Sequence, residues 1–258
     1  MSGPLFEARD LSVRLGARRI VEQANVSLAA GELVLLVGPN GAGKTTLIKA
    51  MAGLIPADGT IRMAGEDLAA MPARVRARRL AYLPQGHDFS WPLPVAEIVA
   101  LGRHPHGDPF ARISAEDRAA VSRALDATGV MAFADRPVTM LSGGERARVA
   151  LARVLATQAQ VLLADEPTMS LDPRHQFVVM DLLRQVAKDG GAVLAVVHDL
   201  ALAARYADRV LVLDRGRIVA DAPPDIALSR ERIAQTFGVA ADVVEVDSVA
   251  LPIVRGPI

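Results

Sequence analysis

The chain has 258 residues, which is enough for one or two domains with a sizeable buried core. Hydrophobic residues make up 51% and charged residues 22%, which excludes an intrinsically disordered chain. The 29 Lys and Arg residues balance the 29 Asp and Glu residues, and this zero net charge argues against a nucleic-acid partner and against a polybasic membrane-surface protein. The absence of cysteine excludes disulfides, thiol nucleophiles and cysteine-based zinc sites, and it fits a reducing compartment.

No segment of the sequence resembles a signal peptide or a membrane span. The first ten residues have no apolar stretch of signal-peptide length. The most apolar runs, 32–37 and 192–197, are far shorter than the roughly 20 residues that cross a bilayer. We therefore expect a chain that is soluble by itself and that reaches a membrane only through a partner.

The N-terminal part predicts an antiparallel β layer, and an α/β core follows. Strands are expected at 6–15, 19–28 and 59–63, with turns at Gly16 and at 30–31. Further on, short apolar runs without polar alternation are typical of strands buried on both faces of a parallel sheet. These runs are 33–37, 81–83, 161–164, 193–197 and 210–213. Helices are predicted between them, at 44–52 and from Asp172 to Gly190, so the fold class is α/β.

The middle and the end of the chain depart from this alternation. Pro92 and Pro94 interrupt the chain, and a helix is predicted at 114–128. We expect the chain to have three parts. The last of them, a C-terminal tail, is expected to hold a helix at 229–237 and a weak strand and to pack on the core. The three parts are an α/β core with its antiparallel layer (1–84 and 157–222), an inserted helical subdomain (85–156) and a C-terminal tail (223–258).

A phosphate-binding loop is predicted between the strand at 33–37 and the following helix. Residues 38–45 match the pattern G-x-x-x-x-G-K-[ST], in which glycines let backbone N–H groups approach an anion. Lys44 would contact the β- and γ-phosphates, and the Thr45 hydroxyl could ligate Mg²⁺. The alternative, a glycine-rich turn without a ligand, is disfavoured by the position between strand and helix. The predicted nucleotide-binding residues here are Gly38, Pro39, Asn40, Gly41, Ala42, Gly43, Lys44, Thr45 and Thr46.

Four further polar residues follow apolar strands. Asp165 and Glu166 end the strand at 161–164; Asp165 suits the Mg²⁺ shell, and Glu166 could accept a proton from an attacking water. His198 could hold the γ-phosphate and orient that water, and the Gln85 amide could reach Mg²⁺ or the water. Each could instead be an ordinary residue at a strand end or in a loop.

A capping box begins another helix. Ser142 and Glu145 flank two glycines, Gly143 and Gly144, ahead of a helix predicted at 146–156. Most such boxes only cap a helix. The two glycines, however, leave the first turn bare, so that an anion can approach the helix N-terminus closely.

Together these residues resemble the ATP-binding subunits of ABC transporters. Residues 38–45 look like the Walker A loop, 161–166 like Walker B, and 141–145 like the signature motif. Gln85, residues 170–172 and His198 match the Q-loop, D-loop and switch histidine; the likeness extends from about residue 5 to 220. It implies Mg-ATP hydrolysis coupled to transport and a P-loop NTPase core with an antiparallel β layer and an inserted α-helical subdomain.

The resemblance also implies partners. In this family two cassettes pair head to tail, and the signature of one closes over ATP held by Walker A of the other. We therefore expect a homodimer or a pseudo-dimer, in which Ser142, Gly143 and Gly144 act on the ATP bound by the partner. Transmembrane permease subunits would dock near the Q-loop. An apolar group lies there, formed by Phe89, Trp91, Leu93 and Val95. It favours an interface, and the alternative is a small core under the helical subdomain.

A narrower resemblance concerns residues 99–106, 165–172 and 232–238, which look like cassettes of importers for iron–siderophore, haem and cobalamin. It implies uptake of a metal chelate at the cytoplasmic face of the inner membrane, with a periplasmic substrate-binding protein acting indirectly. His104 and His106 are expected to be surface loop residues and not iron ligands. The alternative function is a soluble non-transport ABC ATPase acting on a macromolecular assembly, which the single Walker A motif, the zero net charge and the lack of heptads disfavour.

Two positions depart from the family pattern. The aromatic residue that usually stacks on adenine is missing from residues 12–15, which leaves Leu15 or Arg14 to cover the base and leaves base selectivity open. Ala147 stands where glutamine is common, and we attach no functional consequence to it.

Overall fold

The computed structural model describes residues 3–86, 89–107 and 113–258. The strands are β1 (Phe6–Leu15), β2 (Arg18–Leu28), β3 (Leu33–Val37), β4 (Asp58–Met63), β5 (Glu66–Asp67), β6 (Leu80–Leu83), β7 (Val161–Asp165), β8 (Ala192–Val196), β9 (Arg209–Asp214), β10 (Arg217–Ala222), β11 (Val239–Val246) and β12 (Val249–Pro257). The α-helices are α1 (Lys44–Met51), α2 (Ala73–Arg79), α3 (Val95–Ala100), α4 (Ala115–Ala127), α5 (Gly143–Ala156), α6 (Pro173–Lys188), α7 (Leu200–Tyr206), α8 (Pro224–Ala227) and α9 (Arg230–Phe237).

A central six-stranded sheet has the order β10-β9-β3-β8-β7-β6. Its strands β6, β7, β8, β3 and β9 pair in parallel, and β10 pairs antiparallel to β9 at one edge. Every residue of β3, β7 and β8 is buried, which explains why these strands read as continuous apolar runs. The predicted α/β class is thereby confirmed.

A second sheet, of order β2-β1-β4-β5, forms the predicted antiparallel layer. Along β1 the buried residues Phe6, Ala8, Leu11 and Val13 join the core that lies between this layer, α1 and one face of the central sheet. The pairing of β1 with β2 changes register at three places, between Ala8 and Leu11, between Leu11 and Val13, and between Val13 and Arg14. The layer brings the beginning of β2 beside the start of α1, where Gly43 approaches the Ile20 carbonyl.

Helices α3, α4 and α5 form a separate small core, and here one sequence expectation needs correction. Val95 is fully buried in this core, and Phe89 is half-buried against it, with the Arg153 guanidinium 5.9 Å from the centre of the Phe89 ring. Trp91 and Leu93 are exposed, at 74% and 36%. The apolar group therefore divides, because Val95 begins α3 and faces inward, whereas Trp91 and Leu93 remain outside.

A buried ion pair ties this helical part together. Arg103 donates to Asp117 at 2.7 Å and to the Ala156 carbonyl at 2.9 Å, and both charged side chains are buried. The pKa of Asp117 is held below its usual range by hydrogen bonds from Ser114 and Arg103. His106, expected on the surface, lies 2.8 Å from the Thr157 carbonyl and is half-buried, while His104 is exposed.

The C-terminal residues add α8, α9 and a hairpin of β11 and β12. Ala227, Leu228 and Ile233 are buried in the same core as the β9 side chains. The sequence predicted the helix, which Ser229 caps, but only a weak strand where the hairpin lies. Its turn residues, Asp247 and Ser248, have positive φ angles of 52° and 63°. The turn contains no glycine, the residue that usually marks such turns in sequence.

Several shorter elements were not predicted. Helix α2 is seven residues long and rich in arginine, and β10 alternates between half-buried and exposed residues at the sheet edge. Neither has the long apolar period that identifies an element in sequence. The division into a core, a helical subdomain and a tail stays a prediction, and residues 1–2, 87–88 and 108–112 of those ranges lie outside the described residues. Among the described residues, no helix is both long and apolar enough to cross a membrane.

Candidate nucleotide-binding site

The candidate residues follow strands that are neighbours in the central sheet. The phosphate-binding loop follows β3, Glu166 follows β7, His198 comes just after β8, and Gln85 comes just after β6. Since β3, β8, β7 and β6 are adjacent and parallel, their carboxyl ends lie along one edge. Ligands of open α/β sheets bind at this edge.

The loop at 38–43 has the backbone of an anion cradle. Gly38 has a φ of 153°, and a Cβ there would lie 2.0 Å from the Leu213 carbonyl oxygen. Gly43 has a φ of 105° at the N-cap of α1, a conformation that glycine adopts without strain. Among the described residues, no side chain caps α1 and no acid lies in its first turn, so its N–H groups are available to an anion.

Lys44 lies inside this loop and is buried. Its ammonium donates to the Gly38 carbonyl at 2.7 Å and to the Pro39 carbonyl at 3.0 Å. Burial lowers the pKa of Lys44, and the nearby carboxylates Glu166 and Asp165 oppose that shift. The side chain is thus held at the loop by acceptors that a phosphate group could replace.

A cavity of about 370 Å³ opens beside the loop, a volume within the usual range for ligand sites. It is lined by Leu15, Arg18, Ile20, Asn40, Gly41, Gly43, Lys44, Thr45, Thr46 and Glu166. Leu15 is 54% exposed and lines the cavity, whereas Arg14 is not among its lining residues. Pro39 and Ala42 line an adjoining cavity of about 400 Å³, which shares Asn40 and Gly41.

Asp165 and Thr45 meet at the bottom of the site. The Thr45 hydroxyl donates to Asp165 Oδ1 at 3.2 Å, and the Tyr82 hydroxyl donates to Oδ2 at 3.5 Å. Asp165 is fully buried; burial raises its pKa, and the Thr45 hydrogen bond opposes this. Burial, with the Asp165 charge, also raises the pKa of Tyr82, so the phenol is a neutral donor at physiological pH.

The donor set fits Mg²⁺ bound together with phosphates. Thr45 and Asp165 supply hydroxyl and carboxylate oxygens side by side, the ligand type that Mg²⁺ prefers. The described part of the chain contains no group of three or more His, Cys, Asp or Glu placed to hold a metal by itself. Mg²⁺ sites commonly use one or two protein ligands, with waters and substrate phosphates completing the shell.

Glu166 lies between Gln85 and His198. Its Oε1 is 2.6 Å from His198 Nε2, and its Oε2 accepts a hydrogen bond from Gln85 Nε2 at 2.9 Å. Glu166 has a φ of 53°, a left-handed conformation that costs energy for a non-glycine residue and is typical of functional sites. The sequence predicted Gln85 near Mg²⁺ or the attacking water; in this structure its amide nitrogen contacts Glu166 and, at 3.5 Å, Met169.

The signature residues lie elsewhere. Ser142 and Glu145 form the predicted capping box of α5: Glu145 N donates to Ser142 Oγ at 3.3 Å, and Ser142 N donates to Glu145 Oε2 at 2.7 Å. Hydrogen bonds from the Ser142 backbone N–H and, at 2.8 Å, from the Ser142 hydroxyl to the Glu145 carboxylate lower the pKa of Glu145. Gly143 has open space around it, and Ser142, Gly143 and Gly144 are not among the residues lining the two cavities at the loop. One chain alone does not bring the two motifs together.

Sequence reasoning missed Tyr82, Arg18 and Ile20. Tyr82 lies inside β6, three residues before Gln85, so a hydroxyl near the carboxyl end of that strand was the available signal. Arg18 and Ile20 lie in β2, directly after the turn that follows Leu15. Their role as lining residues depends on the packing of the antiparallel layer against the loop, which no local pattern reveals.

Comparison with known proteins agrees with this geometry. The fold and the phosphate loop define a P-loop nucleoside triphosphatase, and the ABC transporter family model matches residues 21–169. The chain is 48% identical over 236 residues to the hemin import ATP-binding protein HmuV of Streptomyces coelicolor, covering 90% of this chain and 83% of that protein. It is 46% identical over 234 residues to the cobalamin import ATP-binding protein BtuD of Halobacterium salinarum, covering 90% of this chain and 58% of that protein.

A solved ATP-binding subunit of an ABC transporter superimposes with a TM-score of 0.78 at 27% identity, covering 90% of this chain and 96% of that one. The chain therefore belongs to the ABC transporter family, and it is one of the ATP-hydrolysing proteins of that family. The resemblance stated from the motifs is thereby confirmed.

Proposed function

We propose that the chain is the ATP-hydrolysing subunit of an importer for a metal chelate: haem, cobalamin or an iron–siderophore. The observation that carries the proposal is the likeness to import subunits along nearly the whole chain, at 48% and 46% identity. The phosphate loop, Glu166 and His198 at one sheet edge support turnover of ATP, since a nucleotide-binding regulator without activity would need no such group of residues.

In the proposed reaction the loop binds the triphosphate through its backbone N–H groups and Lys44. Thr45 and Asp165, with Gln85, would hold Mg²⁺, which when bound neutralises charge on the β- and γ-phosphates. Glu166 accepts a proton from the attacking water at Oε1 or Oε2, and His198 orients the water and the γ-phosphate. Gln85 donates to Glu166 Oε2 at 2.9 Å, and this contact links the Q-loop to the base.

The proposed active form is a head-to-tail homodimer. Ser142, Gly143 and Gly144 would close over the γ-phosphate bound by the partner, because Gly143 leaves open space for an anion at the capped N-terminus of α5 and these residues do not line the cavity of their own chain. Closure would move transmembrane permease subunits docked near Trp91 and Leu93, which are exposed. The chain would then lie at the cytoplasmic face of the inner membrane, with a periplasmic substrate-binding protein acting on the permease.

The proposal is tested by reconstitution. The protein is co-expressed with a candidate permease, extracted in detergent and placed in liposomes. ATP hydrolysis is then measured with binding protein loaded with haem, cobalamin or a ferric siderophore. We expect one loaded form to stimulate hydrolysis and the others not to. Recovery of the protein with ribosomes or another soluble assembly, and never with a permease, would instead support a non-transport ABC ATPase.

Base selectivity gives a separate prediction. Because Leu15, Arg18 and Ile20 line the cavity without an aromatic ring, we expect GTP to bind within about threefold of ATP. Leu15→Tyr should tighten ATP binding by about 3- to 10-fold, since a stacked ring contributes about 1 kcal/mol. Competition against a fluorescent ATP analogue measures both.

The matched control is Leu54→Tyr, since Leu54 is an equally exposed leucine (56%) that is not among the residues lining the cavity. It should leave both affinities unchanged. Strong selection for ATP by the unaltered protein would contradict the assignment of Leu15 to the base.

A further inference from the structure

Asp165 is held by a different hydroxyl at each carboxylate oxygen. Thr45, from α1, donates to Oδ1 at 3.2 Å, and Tyr82, from β6, donates to Oδ2 at 3.5 Å. The other charges near this carboxylate are Glu166, Lys44 and Lys49. Tyr82 and Asp165 are 83 residues apart in sequence, and only the pairing of β6 with β7 brings them together.

Packing directs the Tyr82 hydroxyl towards Asp165. In the parallel ladder Tyr82 lies opposite Leu163, so its ring stands on the same face of the sheet as α1 and packs against that core. A phenylalanine would fill the same space. The hydroxyl therefore adds nothing to packing, and it donates a hydrogen bond to Asp165.

We propose that Tyr82 is a positioning residue for Asp165: by donating to Oδ2 it fixes the plane of the carboxylate, so that Oδ1 stays beside Thr45 and faces the metal of a bound Mg-nucleotide. This inference rests on the proposed function. A carboxylate without such a partner rotates about its Cβ–Cγ bond, and it must lose that freedom when it ligates a metal. Loss of a hydrogen bond to a metal ligand typically weakens metal binding by about 10- to 100-fold. The bond from Tyr82 is long, at 3.5 Å, and we therefore expect a smaller effect.

The test is Tyr82→Phe in the full-length protein, with Mn²⁺ as the probe. Free Mn²⁺ is measured by electron paramagnetic resonance during titration of protein that carries a non-hydrolysable ATP analogue. We expect the half-saturating Mn²⁺ concentration to rise by about 3- to 10-fold. The affinity for the analogue measured in EDTA should be unchanged, because Tyr82 is not among the residues lining the nucleotide cavity.

The control is Tyr206→Phe. Tyr206 is the only other tyrosine in the sequence, and its hydroxyl also donates to an aspartate, Asp181, at 2.9 Å. Burial and this bond raise the pKa of Tyr206 to about 12, so the two phenols are comparable donors. Tyr206→Phe should leave the Mn²⁺ titration unaltered.

An unaltered Mn²⁺ titration in Tyr82→Phe would overturn the inference. A parallel loss of metal-free affinity for the analogue would also overturn it. So would a clear fall in the melting temperature of Tyr82→Phe, since either result would assign Tyr82 to packing. Failure of the unaltered protein to bind the analogue at all would overturn the proposed function instead, and the inference with it. The metal-free titration distinguishes these results.

Discussion

Glu166→Gln is expected to lower kcat for ATP hydrolysis by about 100- to 10,000-fold, the usual contribution of a general base. Glutamine has the shape of glutamate and can still bond to Gln85, but it cannot accept the proton of the attacking water. ATP affinity should therefore stay within about threefold, since Lys44 and the loop backbone are untouched. Phosphate release gives kcat, and size-exclusion chromatography with Mg-ATP should show an accumulated dimer.

Glu116→Gln is the matched control, because Glu116 is an exposed glutamate in the first turn of α4, in the helical part of the chain. It should leave both kcat and the elution profile unchanged. Unaltered steady-state hydrolysis by Glu166→Gln would falsify the assignment of this residue as the base.

Ser142→Arg is expected to abolish hydrolysis without weakening ATP binding to the single chain. The arginine would occupy the bare first turn of α5 and exclude the γ-phosphate of the partner, whereas the loop that binds ATP is unaltered. Lys44→Ala, in contrast, should lose ATP binding itself. Each purified variant alone should be inactive in a phosphate-release assay.

Mixing the variants tests the head-to-tail arrangement directly. When Ser142→Arg and Lys44→Ala are mixed, each mixed dimer has one intact composite site. With equal amounts and random pairing, half of the dimers are mixed, so activity should return to at most about a quarter of the unaltered level. Lys44→Ala mixed with Glu166→Gln should stay inactive, because loop and base come from the same chain. Recovery in both mixtures, or in neither, would contradict the proposed composite site.

Much of the site was predictable because its motifs are contiguous. A glycine-rich loop between a buried strand and a helix specifies an anion cradle through local backbone geometry alone, and residues 38–45 have that pattern. The capping box at Ser142 is equally local, and the structure has both of its reciprocal bonds. Buried parallel strands also identify themselves, since both faces are apolar, as in β3 and β8.

Contacts between distant residues were not predictable. Gln85 and Glu166 are 81 residues apart, and their contact depends on β6 lying beside β7 in the sheet. The same adjacency produces the contact of Tyr82 with Asp165. Strand order is set by the packing of all the helices on the sheet, and no segment of sequence specifies it.

The division of the apolar group near the Q-loop shows the same limit. Val95 is buried and Trp91 is exposed, although both lie in one short apolar segment. Residue types alone determined that this protein has a phosphate loop, two acids at the end of a buried strand and a capped helix that begins with two glycines. Tertiary structure alone decided which side chains meet and which motif stays outside the cavity, because burial depends on the neighbours that the chain supplies from far along its length.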